Sequence, residues 1–214
     1  MLIQRFLSIY PIVALAILAI VIAGGAGANQ IQNNQFQSNL PKEFVSDIEG
    51  DSDGDRIRKP SLQTEFFSPQ GNFRFIVSTT DNWETKQGYG RLIKIIDNVS
   101  EIVWEGELPQ EYGPRYVLIS QRGEVLMLDE WINVKSKYAI VVLNPQKNLV
   151  IQHDFDKVQQ VLQVPISEIV QKATQGSWWI SAPPSLDESL TFAYIPTAGK
   201  VLRVDLQTGE LNLD

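Results

Sequence analysis

The chain has 214 residues and a formal net charge of -7, with 18 basic side chains, 25 acidic ones and no cysteine. Nucleic-acid binding depends on clustered Lys and Arg, and the longest basic run here is Arg58-Lys59, so the composition excludes nucleic acid as a partner. The lack of cysteine excludes a disulfide framework, a thiolate nucleophile and a sulfur-ligated metal.

The N-terminal segment is the most apolar part of the chain. Residues 6–28 carry no charge, follow Arg5, and end in small residues that include Ala26 and Ala28. This order is typical of a secretory signal peptide. The same run is long enough to cross about 30 Å of hydrocarbon as a helix. Residues 1–28 are therefore predicted to be a signal peptide or an N-terminal membrane anchor. In both cases residues 29–214 are exported, either anchored to the cell membrane or free in the periplasm or outside the cell.

Residues 29–60 are predicted to form a flexible polar and acidic tether, because they have too few large apolar side chains to build a core. Within this tether Asp51, Asp53 and Asp55 alternate as in calcium-binding loops. An EF-hand loop that began at Asp51 would need glycine at its sixth position and glutamate at its twelfth, and the sequence has neither there. We interpret the stretch as solvated tether and leave calcium binding by the three aspartates open.

From residue 61 onward, short apolar runs alternate with turn signals. The turn at residues 68–71 (Ser-Pro-Gln-Gly) is echoed at residues 120–123 (Ser-Gln-Arg-Gly), and a third unit closes at residues 205–209 (Asp-Leu-Gln-Thr-Gly). This repetition predicts an all-β fold of three four-stranded antiparallel units. The predicted strands cover residues 63–67, 73–78, 91–96 and 101–104, then 116–120, 124–128, 138–143 and 149–152, then 178–181, 190–194, 201–205 and 210–213.

The segment between the second and third units has a different pattern. Val158, Val161 and Leu162 are spaced as on one face of a helix, and Pro165 interrupts the run before Ser167. We predict one or two short helices here, with Ser167 capping the second one, and expect them to cover an open edge of the sheets.

The third unit carries the residues of a recognisable resemblance. Residues 199–211, with Asp205-Leu206-Gln207-Thr208-Gly209, resemble the repeat of pyrroloquinoline-quinone-type β-propellers, a relative of WD-type blades. Residues 100–104, which end in Trp104, are similar to the last strand of that repeat. The resemblance extends loosely over residues 61–214 and implies four-stranded blades. Cofactor-dependent members use metal ligands and vicinal cysteines that this sequence lacks, so no cofactor is expected. The Asp-x-Trp motifs at residues 81–83 and 129–131, each in a long loop, resemble loops of uncharacterised exported bacterial proteins.

Three blades do not close a propeller, which typically has four to eight. We expect either that another chain completes the ring, a homodimer being the simplest case, or that the three sheets pack differently around one core.

The candidate binding residues are Trp83 and Trp131, each of which follows an aspartate by two positions in a matching loop. Together they could form an aromatic surface for a sugar, a peptide or a partner protein. The alternative is that each tryptophan closes its own blade by packing on the neighbouring sheet. His153 is the sole histidine, and we find no set of residues that predicts a catalytic or metal site.

The sequence therefore predicts an exported, non-catalytic β-repeat domain that binds a protein or polymer partner and meets the membrane only through its N-terminal segment. The alternative is a calcium-dependent propeller hydrolase of the lactonase or sugar-hydrolase type. That reading needs a closed ring with carboxylates converging on a central channel, so whether the protein is an enzyme stays open.

Overall fold

The computed structural model describes residues 59–131, 135–174 and 176–214. The predicted signal or anchor, almost all of the predicted tether, and Asp51, Asp53 and Asp55 lie outside these residues. Neither helix in the described part of the chain is long and apolar enough to span a membrane.

In the described residues, twelve strands form three four-stranded antiparallel sheets, and each sheet is made of four strands that are consecutive in the chain. The first sheet contains β1 (Gln63–Phe67), β2 (Phe73–Ser78), β3 (Gln87–Ile96) and β4 (Val99–Glu111). The second contains β5 (Pro114–Ile119), β6 (Val125–Glu130), β7 (Ile140–Leu143) and β8 (Leu149–His153). The third contains β9 (Ser185–Leu186), β10 (Phe192–Thr197), β11 (Lys200–Asp205) and β12 (Leu211–Leu213).

The repeated Ser-x-x-Gly turns are tight connections between the first two strands of their sheets. The amide of Gly71 donates to the carbonyl of Ser68 at 2.9 Å, and the amide of Gly123 donates to that of Ser120 at 3.2 Å. Gly71 has a φ of 71° and Gly123 a φ of 90°, a backbone region in which glycine meets no steric penalty. Turn chemistry therefore sets where the strands begin.

The second sheet lies in the middle of the stack and is covered on both faces. Met127 and Val141 belong to the core cluster shared with the first sheet. Leu126 and Val142 alternate with them and belong to the cluster shared with the third sheet and the helices. Every position of β6 and β7 is buried as a result. Truncating one such side chain to alanine lowers the free energy of unfolding by about 2–5 kcal/mol. The packing of the second sheet therefore contributes strongly to the stability of the three-sheet arrangement.

Two short helices connect the second sheet to the third. Helix α1 (Phe155–Leu162) contacts β8 and β12, and Asp154 caps it by accepting a hydrogen bond from the amide of Lys157 at 2.9 Å. Helix α2 (Ile166–Lys172) begins after Pro165 with no side-chain cap. The predicted cap at Ser167 is wrong, because this residue lies inside α2.

The predicted strand at residues 178–181 is also wrong. Trp179 and Ile180 are both fully buried, so this stretch lacks the alternation of a strand with one exposed face. Its backbone hydrogen bonds go to a loop and to β10 without forming a strand: the amide of Thr174 donates to the carbonyl of Ile180, and the amide of Ser181 donates to the carbonyl of Pro196 in β10. The third sheet instead begins at β9, after Pro183 and Pro184, which have no amide hydrogen to donate to a ladder.

The fold class is confirmed: the described chain is mostly β, with three four-stranded antiparallel sheets and two short helices between the second and third, in a partial β-propeller-like arrangement. The largest extension beyond prediction is β4. It continues to Glu111 because pairing with β3 resumes after register shifts between Gln87 and Tyr89 and between Leu92 and Ile93.

Candidate functional site

Trp83 lies in the core between the first and second sheets. Only 2% of its surface is exposed. Its indole nitrogen donates to the carbonyl of Pro60 at 3.1 Å, and its ring lies 5.9 Å from that of Tyr112 between centroids. The φ of 65° at Trp83 is unusual for a bulky residue and shows that packing dictates its backbone. A ring buried in this way has no face to offer a ligand.

Trp131 is placed differently. It follows β6, packs on the edge of the same core and stays partly exposed. The Arg115 guanidinium carbon lies 4.7 Å from the centroid of the Trp131 ring, which is within the range of a cation–π interaction. Arg115 also donates through Nη2 to the carbonyl of Trp131 at 3.4 Å and through Nε to that of Glu130 at 3.5 Å. These contacts hold the Arg115 guanidinium against the Trp131 ring.

The aspartates that precede the two tryptophans have opposite environments. Asp81 lies at the surface, accepting hydrogen bonds from the amide of Thr85 at 2.8 Å and the hydroxyl of Thr79 at 2.9 Å. These bonds lower the pKa of Asp81 to about 2, with those from Thr85 the largest cause. Asp129, in contrast, is 0% exposed. The same Asp-x-Trp spacing therefore gives an exposed turn in one sheet and a buried carboxyl group in the other.

Asp129 is the least satisfied polar group near Trp131. Its Oδ2 accepts from the hydroxyl of Ser177 at 3.1 Å, whereas Oδ1 is buried with no hydrogen-bond partner among the described residues. Burial raises the pKa of Asp129, and the amide of Glu130 and the charge of Arg115 oppose that rise without cancelling it. Its φ of 60° is a conformation that aspartate tolerates better than most residues.

Arg115 projects from β5 beside this carboxyl group. Burial lowers the pKa of Arg115, and the charge of Asp129 opposes the shift. No carboxylate of the described chain lies within ion-pair distance of its guanidinium. Gly176 makes room for it, since a Cβ added there would lie 2.8 Å from Nη1 of Arg115. Arg115 is therefore a confined cation without an ion-pair partner among the described residues.

Three more aromatic residues lie near Asp129 at this end of the second sheet. They are Tyr116, whose phenol pKa is raised chiefly by burial, Tyr138 and Trp178. All three are partly exposed. Tyr116 and Trp178 pack on the core shared with the third sheet, and Tyr138 packs on the core shared with the first. We call this set the Arg115 edge, and its members are Arg115, Tyr116, Trp131, Tyr138 and Trp178.

The described part of the chain brings together no metal-binding group. Among residues 59–131, 135–174 and 176–214, no three His, Asp or Glu side chains are placed to hold a metal ion. His153 contacts the third sheet instead, with its Nε2 3.3 Å from the carbonyl of Gly209.

Comparisons with known proteins add little to this geometry. No protein-family model and no curated protein matches the chain. A search of solved structures finds similarity to a europium-containing methanol dehydrogenase, with 11% sequence identity and a TM-score of 0.33. The match covers 67% of this chain and 23% of that one, so the chain spans less than a quarter of the length of the enzyme that it resembles.

Sequence reasoning singled out Trp131 but missed Arg115 and Ser177. Arg115 lies in an apolar strand sequence, and nothing local links it to a tryptophan 16 residues later. Pairing of β5 with β6, in which Pro114 lies opposite Glu130, is what brings the two side chains together. In the sequence Arg115 stands directly before the predicted strand at residues 116–120, and nothing there indicates a partner in the next strand.

Proposed function

We propose that this chain is an exported, non-catalytic β-repeat domain that binds a protein partner through the Arg115 edge. The observation that carries the proposal is the stack of the confined Arg115 guanidinium on the partly exposed Trp131 ring. Tryptophan, tyrosine and arginine are the residues most enriched in the energetic centres of protein interfaces. The Arg115 edge consists of these three types only.

The hydrogen-bonding capacity of Arg115 supports a polar contact at the centre of such an interface. A guanidinium has five N–H donors, and the described contacts of Arg115 use those of Nε and one on Nη2. No other described residue accepts from Nη1, and we propose that its donors bind a backbone carbonyl or a carboxylate of the partner. The cost of ordering this side chain has already been met by the stack and the two carbonyl contacts, so binding loses less entropy.

Export is the second part of the proposal and depends on the sequence of residues 1–28. A net charge of -7 and the lack of cysteine are compatible with a domain outside the cytoplasm. The hydrolase alternative stays a prediction that metal analysis of the purified full chain tests. Stoichiometric calcium would support it.

Site-specific photocrosslinking in the producing cells tests the binding proposal. A photoreactive phenylalanine analogue at Trp131 is expected to give a discrete heavier species that contains a second protein. Gln146 is the matched control, because it is exposed in the turn between β7 and β8, at the opposite end of the second sheet.

The two positions together decide the outcome. A crosslinked protein at Trp131 that is absent at Gln146, and that is lost when Arg115→Ala is added, supports the Arg115 edge as the binding surface. Equal products at both positions, or none at Trp131, would rule it out.

A further inference from the structure

The two outer sheets each present one face that no core cluster of the described residues includes. On the first sheet the face consists of Glu65, Phe67, Arg74, Ile76, Arg91, Ile93, Ile102 and Glu105, which we call face 1. On the third sheet it consists of Phe192, Tyr194, Pro196, Val201, Arg203 and Asp205, which we call face 3. Both alternate with the residues that form the cores.

The composition of face 1 differs from that of a solvated sheet surface. Phe67 and Ile102 lie in one row across the sheet and are 51% and 54% exposed. On the same face Ile76 is half-buried and Ile93 is only 5% exposed. In the second sheet, by contrast, both faces are covered by neighbouring sheets. Clustered exposed apolar surface is typical of an interaction site.

Face 1 and face 3 are chemically complementary. Face 1 holds two arginines in ion pairs, Arg74 with Glu65 at 3.5 Å and Arg91 with Glu105 at 2.7 Å. Face 3 offers the rings of Phe192 and Tyr194, on which guanidinium groups pack favourably.

Charge does not oppose contact between the two faces. Face 1 carries two arginines and two glutamates, and face 3 carries Arg203 and Asp205, so each is neutral. Contact therefore avoids the repulsion expected from a chain of net charge -7. Arg203 already packs on Phe192, with 4.6 Å from its guanidinium carbon to the ring centroid, so face 3 accepts this type of contact.

We propose that a second copy of this chain covers both faces, with face 1 of each protomer packed on face 3 of the other. One twofold axis relates the two identical contacts and leaves no sheet face open. The resulting ring has six sheets, within the four to eight of closed propellers.

The absolute molar mass of the full chain, measured by light scattering in mild detergent, tests the assembly. The expected mass is twice that of one chain, which is 24.1 kDa before any processing. Ile102→Lys is expected to weaken dimerisation more than about 10-fold, because it would place an unpaired charge against face 3 of the other protomer. Leu149→Lys is the matched control, because Leu149 is 56% exposed but lies on β8, outside both faces.

Cysteine crosslinking identifies the faces, since the native chain has no cysteine. Chains with Ile102→Cys mixed with chains carrying Tyr194→Cys are expected to crosslink with a short bifunctional maleimide, and neither variant is expected to crosslink with itself. A single-chain mass at every concentration would overturn the proposal, as would a dimer unaffected by Ile102→Lys, a larger open assembly, or Ile102→Cys captured by a different protein.

Discussion

The hydroxyl of Ser177 donates a hydrogen bond to Oδ2 of Asp129 at 3.1 Å, across 48 positions of sequence. Asp129 is the last residue but one of β6 in the second sheet, and Ser177 lies in the segment between α2 and β9. The bond therefore ties the middle sheet to the segment that leads into the third. Because the carboxyl group is fully buried, its protonation state affects how strongly this junction holds.

Asp129→Asn is expected to stabilise the protein near neutral pH by about 1 kcal/mol, the scale of an unsatisfied buried polar group. Burial raises the pKa of Asp129 above 3.8, so the folded state favours the protonated form. Its contribution is present below pH 3.8 and is lost as pH rises through the folded-state pKa. Asparagine keeps an acceptor for Ser177 and carries no charge. Urea unfolding across the acidic range should show the two proteins converging as pH falls.

Asp81→Asn should show the opposite pH dependence. The folded-state pKa of Asp81 is lowered to about 2 from 3.8, so the charged form is favoured by folding. Its stabilisation is present above pH 3.8 and is lost as pH falls through about 2. The variant should therefore be less stable than the native chain near neutral pH, and the difference should vanish in acid. Equal stability of both proteins at pH 7 would contradict this assignment.

Trp83→Ala is expected to destabilise the protein by about 3–5 kcal/mol, as truncation of a buried aromatic residue does. The loss combines the core contact with Tyr112 and the hydrogen bond to Pro60. Trp131→Ala is the control and should cost less than half as much, because its ring remains partly exposed. Chemical denaturation of both variants checks the contrast, and similar losses would mean that Trp131 is a core residue too.

Gly209→Ala should cost more than Gly71→Ala, although both glycines have nearly the same φ, 74° and 71°. A Cβ at Gly209 would lie 2.3 Å from Cβ of Ile151, whereas one at Gly71 meets nothing within 4 Å. Both variants bear a backbone penalty of about 1 kcal/mol. The clash should add about 1–3 kcal/mol at Gly209. Thermal unfolding would measure the difference. Equal losses of stability in the two variants would show that Ile151 and Gly209 can move apart to accept the added methyl group.

Local signals explain why so much of the fold could be predicted. The turns that end at Gly71 and Gly123 need only their own four residues, and the alternation of Phe73, Phe75 and Val77 reports a half-buried strand directly. The predictions that failed concern residues whose environment is set by distant parts of the chain. Trp179 lies in an apolar run that resembles a strand, and only its burial between sheet and helices shows otherwise.

The sequence by itself determined the three-unit β architecture, the position of the helical insert and the absence of thiol chemistry, because strand alternation, turns and composition act over a few residues. Tertiary structure alone decided that Trp83 is buried while Trp131 stays at the surface, and that Asp81 is solvated while Asp129 is not. The two loops have the same local pattern. Their environments differ because Trp83 packs between the first and second sheets, whereas in the other loop it is Asp129 on β6 that is buried, and burial of this kind depends on residues far away in the sequence.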